Sequence, residues 1–238
     1  MSAVIAARAG ERAATSTENA FVRIAGWAGI GALLAYIAGF GFYLVAGPPP
    51  AFGDGARFLA YATVHGPLII SSGLAFGLDF AFLFVWFSGV RELIRRAGGV
   101  WSSLADAMTY AYFAGVALAL AGFGLLIGAV ISAQALGDPG VTRALWFGAF
   151  GVLHIALLPL GLAQALYAIA ILRTAALPRW NGWLGGLAAL GALAAAPAAY
   201  GGTGFYSSVG LASVLLSDLP SLAWNLGAAV CMIRSQRT

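Results

Sequence analysis

Six long runs of apolar residues follow one another along this chain, and they constrain its fold more than any other feature. Each run holds about 20 residues or more, which is the length of helix that crosses ~30 Å of hydrocarbon. Their approximate bounds are residues 24–45, 67–90, 104–133, 144–172, 183–200 and 206–233. The sequence therefore predicts an all-α, polytopic membrane bundle of about six transmembrane helices.

Composition excludes a soluble or disordered chain. Hydrophobic residues make up 61% of the sequence and charged residues 8%, whereas soluble domains carry about 25% charge and disordered chains are more polar still. We therefore expect the lipid bilayer to surround the protein. We expect no nucleic-acid partner, because most of the arginines behind the net charge of +4 flank the apolar runs.

The arginines also predict the orientation of the bundle. Only Arg57 and Arg143 lie on one side of the predicted spans. The other side carries Arg8, Arg12, Arg23, Arg91, Arg95, Arg96, Arg173, Arg179, Arg234 and Arg237. Because basic residues accumulate on the cytoplasmic side, we expect a multi-pass protein of the inner (plasma) membrane with both termini in the cytoplasm.

The segments outside the apolar runs are short. Residues 1–20 are predicted to be a mobile cytoplasmic tail, which leaves residues 21–238 as a single six-helix transmembrane domain. Residues 47–65, which contain three consecutive prolines, are predicted to be the longest outer loop. Tryptophans near the predicted surfaces indicate interfacial belts, with Trp27, Trp86, Trp101, Trp180, Trp183 and Trp224 on the arginine side and Trp146 on the other.

Several kinds of chemistry are excluded by residue types. The chain has no lysine, so Schiff-base chemistry and a phosphate-binding P-loop are both excluded. Cys231 is the single cysteine, and His65 and His154 are the two histidines. His65 is predicted to lie in the outer loop, too far from His154 to share a metal. We therefore expect neither a metal centre nor a cofactor.

Glycines at small-residue spacing lie within the predicted spans. Gly124 and Gly128 lie in the third span, and Gly182 and Gly186 lie at the start of the fifth. Such positions allow close helix packing. They predict packing seams inside one bundle or, alternatively, a glycine-rich face through which the protein forms a homo-oligomer.

Three ionisable residues lie at the depth of the hydrocarbon. A charged aspartate there costs about 2.5–3.5 kcal/mol on insertion scales. Counting back from the arginine side at ~1.5 Å per residue, Asp79 lies ~18 Å deep, Asp218 ~24 Å and His154 ~28 Å. The three groups on spans two, six and four therefore fall within ~10 Å of one another in depth.

Two interpretations of this trio remain open. In the first, Asp79, Asp218 and His154 form a catalytic acid–base site, because apolar surroundings favour a neutral carboxylic acid that can donate a proton. In the second, the groups form a hydrogen-bonded clasp that fixes the register of the helices.

Further polar and aromatic residues are candidates for binding a substrate in the same cavity. Gln164 follows His154 on span four, and Asn225 follows Asp218 by two helical turns. Aromatic rings can stabilise a carbocation through their π-faces. The full predicted binding set is Phe76, Phe80, Tyr167, Gln164, Asn225 and Tyr206.

Two resemblances bear on the fold. The run from Leu166 to Arg173, followed by Leu177-Pro178-Arg179-Trp180-Asn181-Gly182-Trp183, resembles a family of small six-span bacterial membrane proteins. That family is classed as a domain of unknown function, so the resemblance implies a six-helix fold and no activity. The size and the paired intramembrane acids are also distantly similar to small integral membrane terpene cyclases, which protonate an olefin or epoxide. No motif of those cyclases is present, so no residue roles follow from them.

Three functions are consistent with these features. The first is a membrane-embedded enzyme that cyclises or isomerises a lipophilic small molecule, such as an isoprenoid, by acid–base catalysis. The second is a proton-coupled transporter of a small solute, since ionisable residues in spans are typical of that class. The third is a non-catalytic accessory or assembly subunit, in which the acids only pack helices.

Overall fold

The computed structural model describes residues 2–50, 54–197 and 213–234, with side chains described for 19–50, 54–197 and 214–234. The main elements of this part of the chain are all helices. They are α1 (Ser2–Ala46), α2 (Gly55–Arg95), α3 (Val100–Leu136), α4 (Pro139–Thr174), α5 (Arg179–Ala195), a π-helix (Ser213–Asp218) and α6 (Leu219–Arg234).

Helix length and composition confirm a helical membrane bundle. Five stretches are long and apolar enough to cross a membrane: Asn19–Ala46, Gly55–Arg95, Val100–Leu136, Pro139–Thr174 and Val214–Arg234. The fifth predicted span corresponds to α5, which has 17 residues and is therefore ~26 Å long. The helical backbone of α1 begins at Ser2, within the segment predicted to be a tail.

Helix α2 begins earlier than the sequence analysis predicted. Residues 55–65 were expected in the outer loop, but they form the first turns of α2. The Asp54 side chain accepts a hydrogen bond from the Arg57 amide at 3.1 Å, which is the capping interaction that starts helices. His65 consequently lies on α2, where its ring packs 4.8 Å from that of Tyr61.

The helices close into a ring. Each packs on its neighbours in chain order, and α6 returns to pack against α1. We call the end formed by the carboxyl ends of α2, α4 and α6 the arginine end. There Arg91 of α2 forms an ion pair with Asp106 of α3 at 2.6 Å, and Arg96 donates a hydrogen bond to Asn19 of α1 at 3.0 Å.

Two clusters of buried apolar residues lie within the bundle. Near the arginine end is the aromatic plug, formed by Trp86, Phe87, Tyr112, Tyr167 and Trp224. Its rings pack tightly, with centroids 3.8 Å apart for Phe87 and Tyr112 and 5.0 Å apart for Trp86 and Trp224. Towards the opposite end is the distal cluster, formed by Phe58, Ile69, Leu126, Val130 and Trp146.

The plug corrects part of the predicted tryptophan belt. Trp27, Trp180 and Trp183 are exposed on the outside of the bundle, as a belt requires. Trp86 and Trp224, which were also assigned to the belt, are buried in the plug, and Trp146, assigned to the opposite belt, is buried in the distal cluster. Sequence position does not give the side of the helix on which a tryptophan lies.

The predicted glycine seams divide into two kinds. Gly182 packs on Ile171 and Leu172 of α4, so it belongs to a seam inside the bundle. Gly124 and Gly128 face outwards, and a side chain added at either would meet no described atom within 4 Å.

Candidate active site

A cavity of about 310 Å³ lies inside the ring between the aromatic plug and the distal cluster. Side chains of α1, α2, α3, α4, α5 and α6 and of the π-helix line it. Its walls are mostly apolar. The volume lies near the lower end of the ~300–1,000 Å³ typical of small-molecule pockets.

All three predicted catalytic residues line this cavity. Asp79 of α2 and His154 of α4 are buried, and Asp218 at the end of the π-helix is half-buried. Asp79 and Asp218 are close enough to interact electrostatically, so each carboxylate would be repelled by the charge of the other. None of the described residues donates a hydrogen bond to Asp79. The structure therefore places in one cavity the three groups that the sequence predicted at similar depth.

Asp218 has a partner that the sequence analysis missed. The hydroxyl of Tyr36, on α1, donates a hydrogen bond to Asp218 Oδ2 at 2.8 Å. This bond stabilises an ionised Asp218 carboxylate, because a donor favours the charged form of the acceptor. Tyr36 lies in the middle of the first span and also lines the cavity. A tyrosine hydroxyl in the middle of an apolar span was the sequence signal that could have identified Tyr36 as a site residue.

Local backbone chemistry positions Asp218. Pro220 has no amide hydrogen, so it cannot make the usual helical bond to the Leu216 carbonyl. The turn before it widens into the π-helix, a feature often found at functional sites. On α5, Gly191 packs directly on the Leu216 carbonyl, and a Cβ at position 191 would overlap that oxygen. Glycine therefore allows α5 to support the segment that carries Asp218.

His154 is held in one tautomer. Its Nδ1 lies 2.7 Å from the Phe150 carbonyl oxygen. A carbonyl can only accept, so Nδ1 carries the hydrogen of the neutral ring. In that tautomer Nε2 is the nitrogen with the lone pair, and it is the atom that can take up a proton.

Aromatic rings surround the acids. Phe76 stacks on Phe123 with ring centroids 4.7 Å apart, and Tyr36 meets Phe76 edge-on at 5.3 Å. Phe80 lies 6.0 Å from Phe123. Phe76 and Phe80 were predicted from the sequence and line the cavity, whereas Phe123 of α3 was missed.

Two of the predicted binding residues lie on the side of the cavity nearer the plug. Gln164 and Asn225 both line it, and Gln164 donates a hydrogen bond to Ser221 Oγ at 2.9 Å. The carbonyl oxygens Gln164 Oε1 and Asn225 Oδ1 are buried and have no hydrogen-bond partner among the described residues. A buried acceptor without a partner costs about 1–3 kcal/mol.

Of the two remaining predicted binding residues, one lies away from the cavity and the other is not described. Tyr167 is fully buried in the aromatic plug, where its hydroxyl donates a hydrogen bond to Asn181 Oδ1. It is not among the residues that line the cavity. Tyr206 lies outside the described residues.

Comparisons of the chain with protein-family models, with curated proteins and with solved structures gave no match. The resemblances stated from the sequence therefore stay predictions.

Proposed function

We propose that this protein is a membrane-embedded enzyme that isomerises or cyclises a lipophilic small molecule by acid–base catalysis. One observation carries the proposal: Asp79, His154 and Asp218 line a single aromatic-walled cavity at the centre of the bundle. Ionisable groups in membrane spans normally mark functional sites. A clasp that only fixes helix register would not need a cavity of about 310 Å³ beside it.

The hydrogen bonds indicate separate roles for the two acids. Tyr36 stabilises the charge of Asp218, and no described residue does this for Asp79. Two neighbouring carboxyls in an apolar cavity resist double ionisation. Asp79 is therefore assigned as the proton donor, and the Asp218 carboxylate as the base. His154 is assigned to proton uptake at Nε2.

The proposed reaction conserves atoms and electrons. Asp79 gives its proton to one carbon of a double bond, and the π-electron pair of that bond forms the new C–H bond. The carbocation that results lies among the faces of Phe76, Phe80 and Phe123, which stabilise positive charge. Asp218 then removes a proton from a neighbouring carbon, and the electrons of that C–H bond form a new double bond. Return of the proton to Asp79 completes the cycle without a cofactor.

The mostly apolar wall of the cavity favours this function over proton-coupled transport. A transporter needs a polar path that reaches both membrane surfaces. Most of the described residues that line the cavity are apolar, among them Leu33, Leu83 and Val116. The proposal includes a location in the inner (plasma) membrane with both termini in the cytoplasm, which the ten-to-two distribution of arginines supports.

Mass spectrometry of co-purifying small molecules tests the proposal. The protein is purified in mild detergent as wild type and as the Asp79→Asn, Asp218→Asn double variant. We expect a lipophile other than a phospholipid in the wild type, and a changed amount or chemical form of it in the double variant. Asp54→Asn is the matched control, because it makes the same change at a helix cap, where asparagine also caps well.

Bulk phospholipid alone in all three samples would contradict the proposal. It would favour the transporter or the accessory subunit, and proton flux in vesicles would then separate those two.

A further inference from the structure

The polar wall of the cavity on α4 and α6 is chemically different from the acid pair. We call Gln164, Ser221 and Asn225 the amide site. Ser221 and Asn225 are four residues apart on α6, so their side chains lie on one face of the helix. Gln164 reaches this face from α4 through its hydrogen bond to Ser221 Oγ at 2.9 Å. All three residues line the cavity.

The amide site has acceptors that lack donors. Gln164 is 4% exposed and Asn225 is 7% exposed. Each side chain has a buried carbonyl oxygen with no partner among the described residues. Buried polar groups in proteins are nearly always hydrogen-bonded. Two such oxygens in the wall of one cavity therefore indicate a donor that belongs to a ligand.

The chemistry of the site limits what that donor can be. Carbonyl oxygens repel an anionic head group, and no arginine appears among the described residues that line the cavity. A phosphate or carboxylate head therefore does not fit. From these observations we infer that the amide site binds the hydroxyl group of a neutral lipophilic alcohol, which is the substrate class of the enzyme proposed above.

The position of the site agrees with that role. Asn225 lies seven residues after Asp218, or ~10 Å along the helix towards the plug. A hydroxyl bound there directs the attached hydrocarbon chain back past Asp218, Asp79 and the aromatic wall. The volume of about 310 Å³ suits a short chain rather than a whole membrane lipid.

The test compares an alcohol with its methyl ether, which lacks the hydrogen-bond donor and carries one more methyl group. Geraniol, a ten-carbon alcohol, and its methyl ether are titrated into the full-length protein in nanodiscs. Binding is followed by the fluorescence of Trp224, which lines the cavity, with Trp224→Phe as the blank. We expect the wild type to bind the alcohol roughly tenfold more tightly than the ether, as a hydrogen bond or two would give. Equal affinities in the wild type would overturn the inference, and this comparison needs no binding-site variant.

A near-isosteric double variant, Gln164→Met with Asn225→Leu, provides the second arm. We expect the alcohol-to-ether ratio to fall to about one without loss of ether binding. Comparing this ratio between the variant and the wild type cancels the partitioning of each probe into lipid. We also expect little change in the melting temperature, because the variant removes two acceptors without partners together with the single Gln164–Ser221 hydrogen bond. Retained preference for the alcohol, or unfolding of the variant, would contradict a ligand-binding role for these amides.

The inference rests on the proposed enzyme function, but the two can fail separately. An alcohol preference in a protein that converts no lipophile would refute the enzyme and leave the amide site standing. Conversion that depends on Asp79, with equal binding of alcohol and ether, would refute the amide site alone. The preference is expected to persist in Asp79→Asn, because Asp79 is not part of the amide site.

Discussion

Replacement of Gly191 by alanine should destabilise the bundle where α5 packs against the segment that carries Asp218. The Cβ at position 191 would overlap the carbonyl oxygen of Leu216 and would lie 2.7 Å from its carbonyl carbon. Both atoms belong to the backbone, so no side-chain rotation relieves the clash. Helix α5 must therefore move away from the π-helix, at a cost of about 1–3 kcal/mol for overpacking.

The same substitution elsewhere on α5 should have the opposite sign. A Cβ at Gly186 would meet only the Ala168 Cβ at 3.7 Å, which is ordinary van der Waals contact. Alanine is about 1 kcal/mol more favourable than glycine in a helix interior, so Gly186→Ala should be neutral or stabilising. Gly186→Ala is therefore the matched control for Gly191→Ala.

Thermal unfolding in detergent, followed by circular dichroism, measures both variants. We expect the melting temperature of Gly191→Ala to fall by several degrees while that of Gly186→Ala stays equal or rises. We also expect Gly191→Ala to retain less of the co-purifying lipophile, since the displaced segment carries Asp218. Equal melting temperatures for the two variants would refute the close approach of α5 to Leu216.

Three further predictions concern single side chains. Tyr36→Phe removes the donor to Asp218, and a bond to a charged group is worth about 1.5–3 kcal/mol. Asp218 is then less readily ionised, so conversion of the lipophile should slow roughly ten- to hundredfold and the melting temperature should fall by a few degrees; an unchanged rate would show that Asp218 is not the base. Phe76→Leu keeps the cavity wall apolar but removes the π-face, so conversion of the lipophile should slow by about tenfold while the affinity for geraniol stays the same. Loss of geraniol binding without a slower conversion would indicate that Phe76 only packs. Asp138 accepts hydrogen bonds from the Gly140 and Val141 amides at the start of α4. Asp138→Ala should therefore lower the free energy of unfolding, measured by thermal unfolding, by about 0.5–2 kcal/mol, and Asp138→Asn should lower it much less.

The sequence predicts the helices well because their signal is local. Apolar runs of bilayer length define the spans, and Asp54 and Asp138 mark helix starts through ordinary capping. The start of α2 differs from the prediction, because three consecutive prolines indicate a loop, whereas Asp54 caps a helix that begins at Gly55.

The site was predicted in part because depth in a membrane can be counted along a helix. Counting from the arginines brings Asp79, His154 and Asp218 to similar depths, and all three line the cavity. Counting residues in this way does not tell which side of the helix a side chain lies on. Trp224 was therefore predicted at the surface and Tyr167 at the cavity, whereas both are buried in the aromatic plug.

Partnerships between distant helices were beyond the sequence. Tyr36 and Asp218 are 182 positions apart in the chain, and nothing in either segment specifies the other. The same holds for Gly191 and Leu216, whose contact depends on a π-helix that Pro220 permits but does not dictate. Such contacts follow from packing of the whole ring.

Transfer of deuterium from solvent to a carbon of the lipophile would show directly that Asp79 acts as a proton donor. Nanodiscs that contain the protein are incubated in D₂O with a neutral-lipid extract of the native cells, and the lipids are then returned to H₂O before mass spectrometry. Carboxyl deuterium exchanges back to hydrogen, whereas deuterium bonded to carbon is retained. We expect a lipophile with carbon-bound deuterium in the wild type and in Asp54→Asn. We expect no such labelled lipophile in Asp79→Asn. Equal labelling in Asp79→Asn, or no labelled lipophile in the wild type, would contradict intramembrane acid–base catalysis.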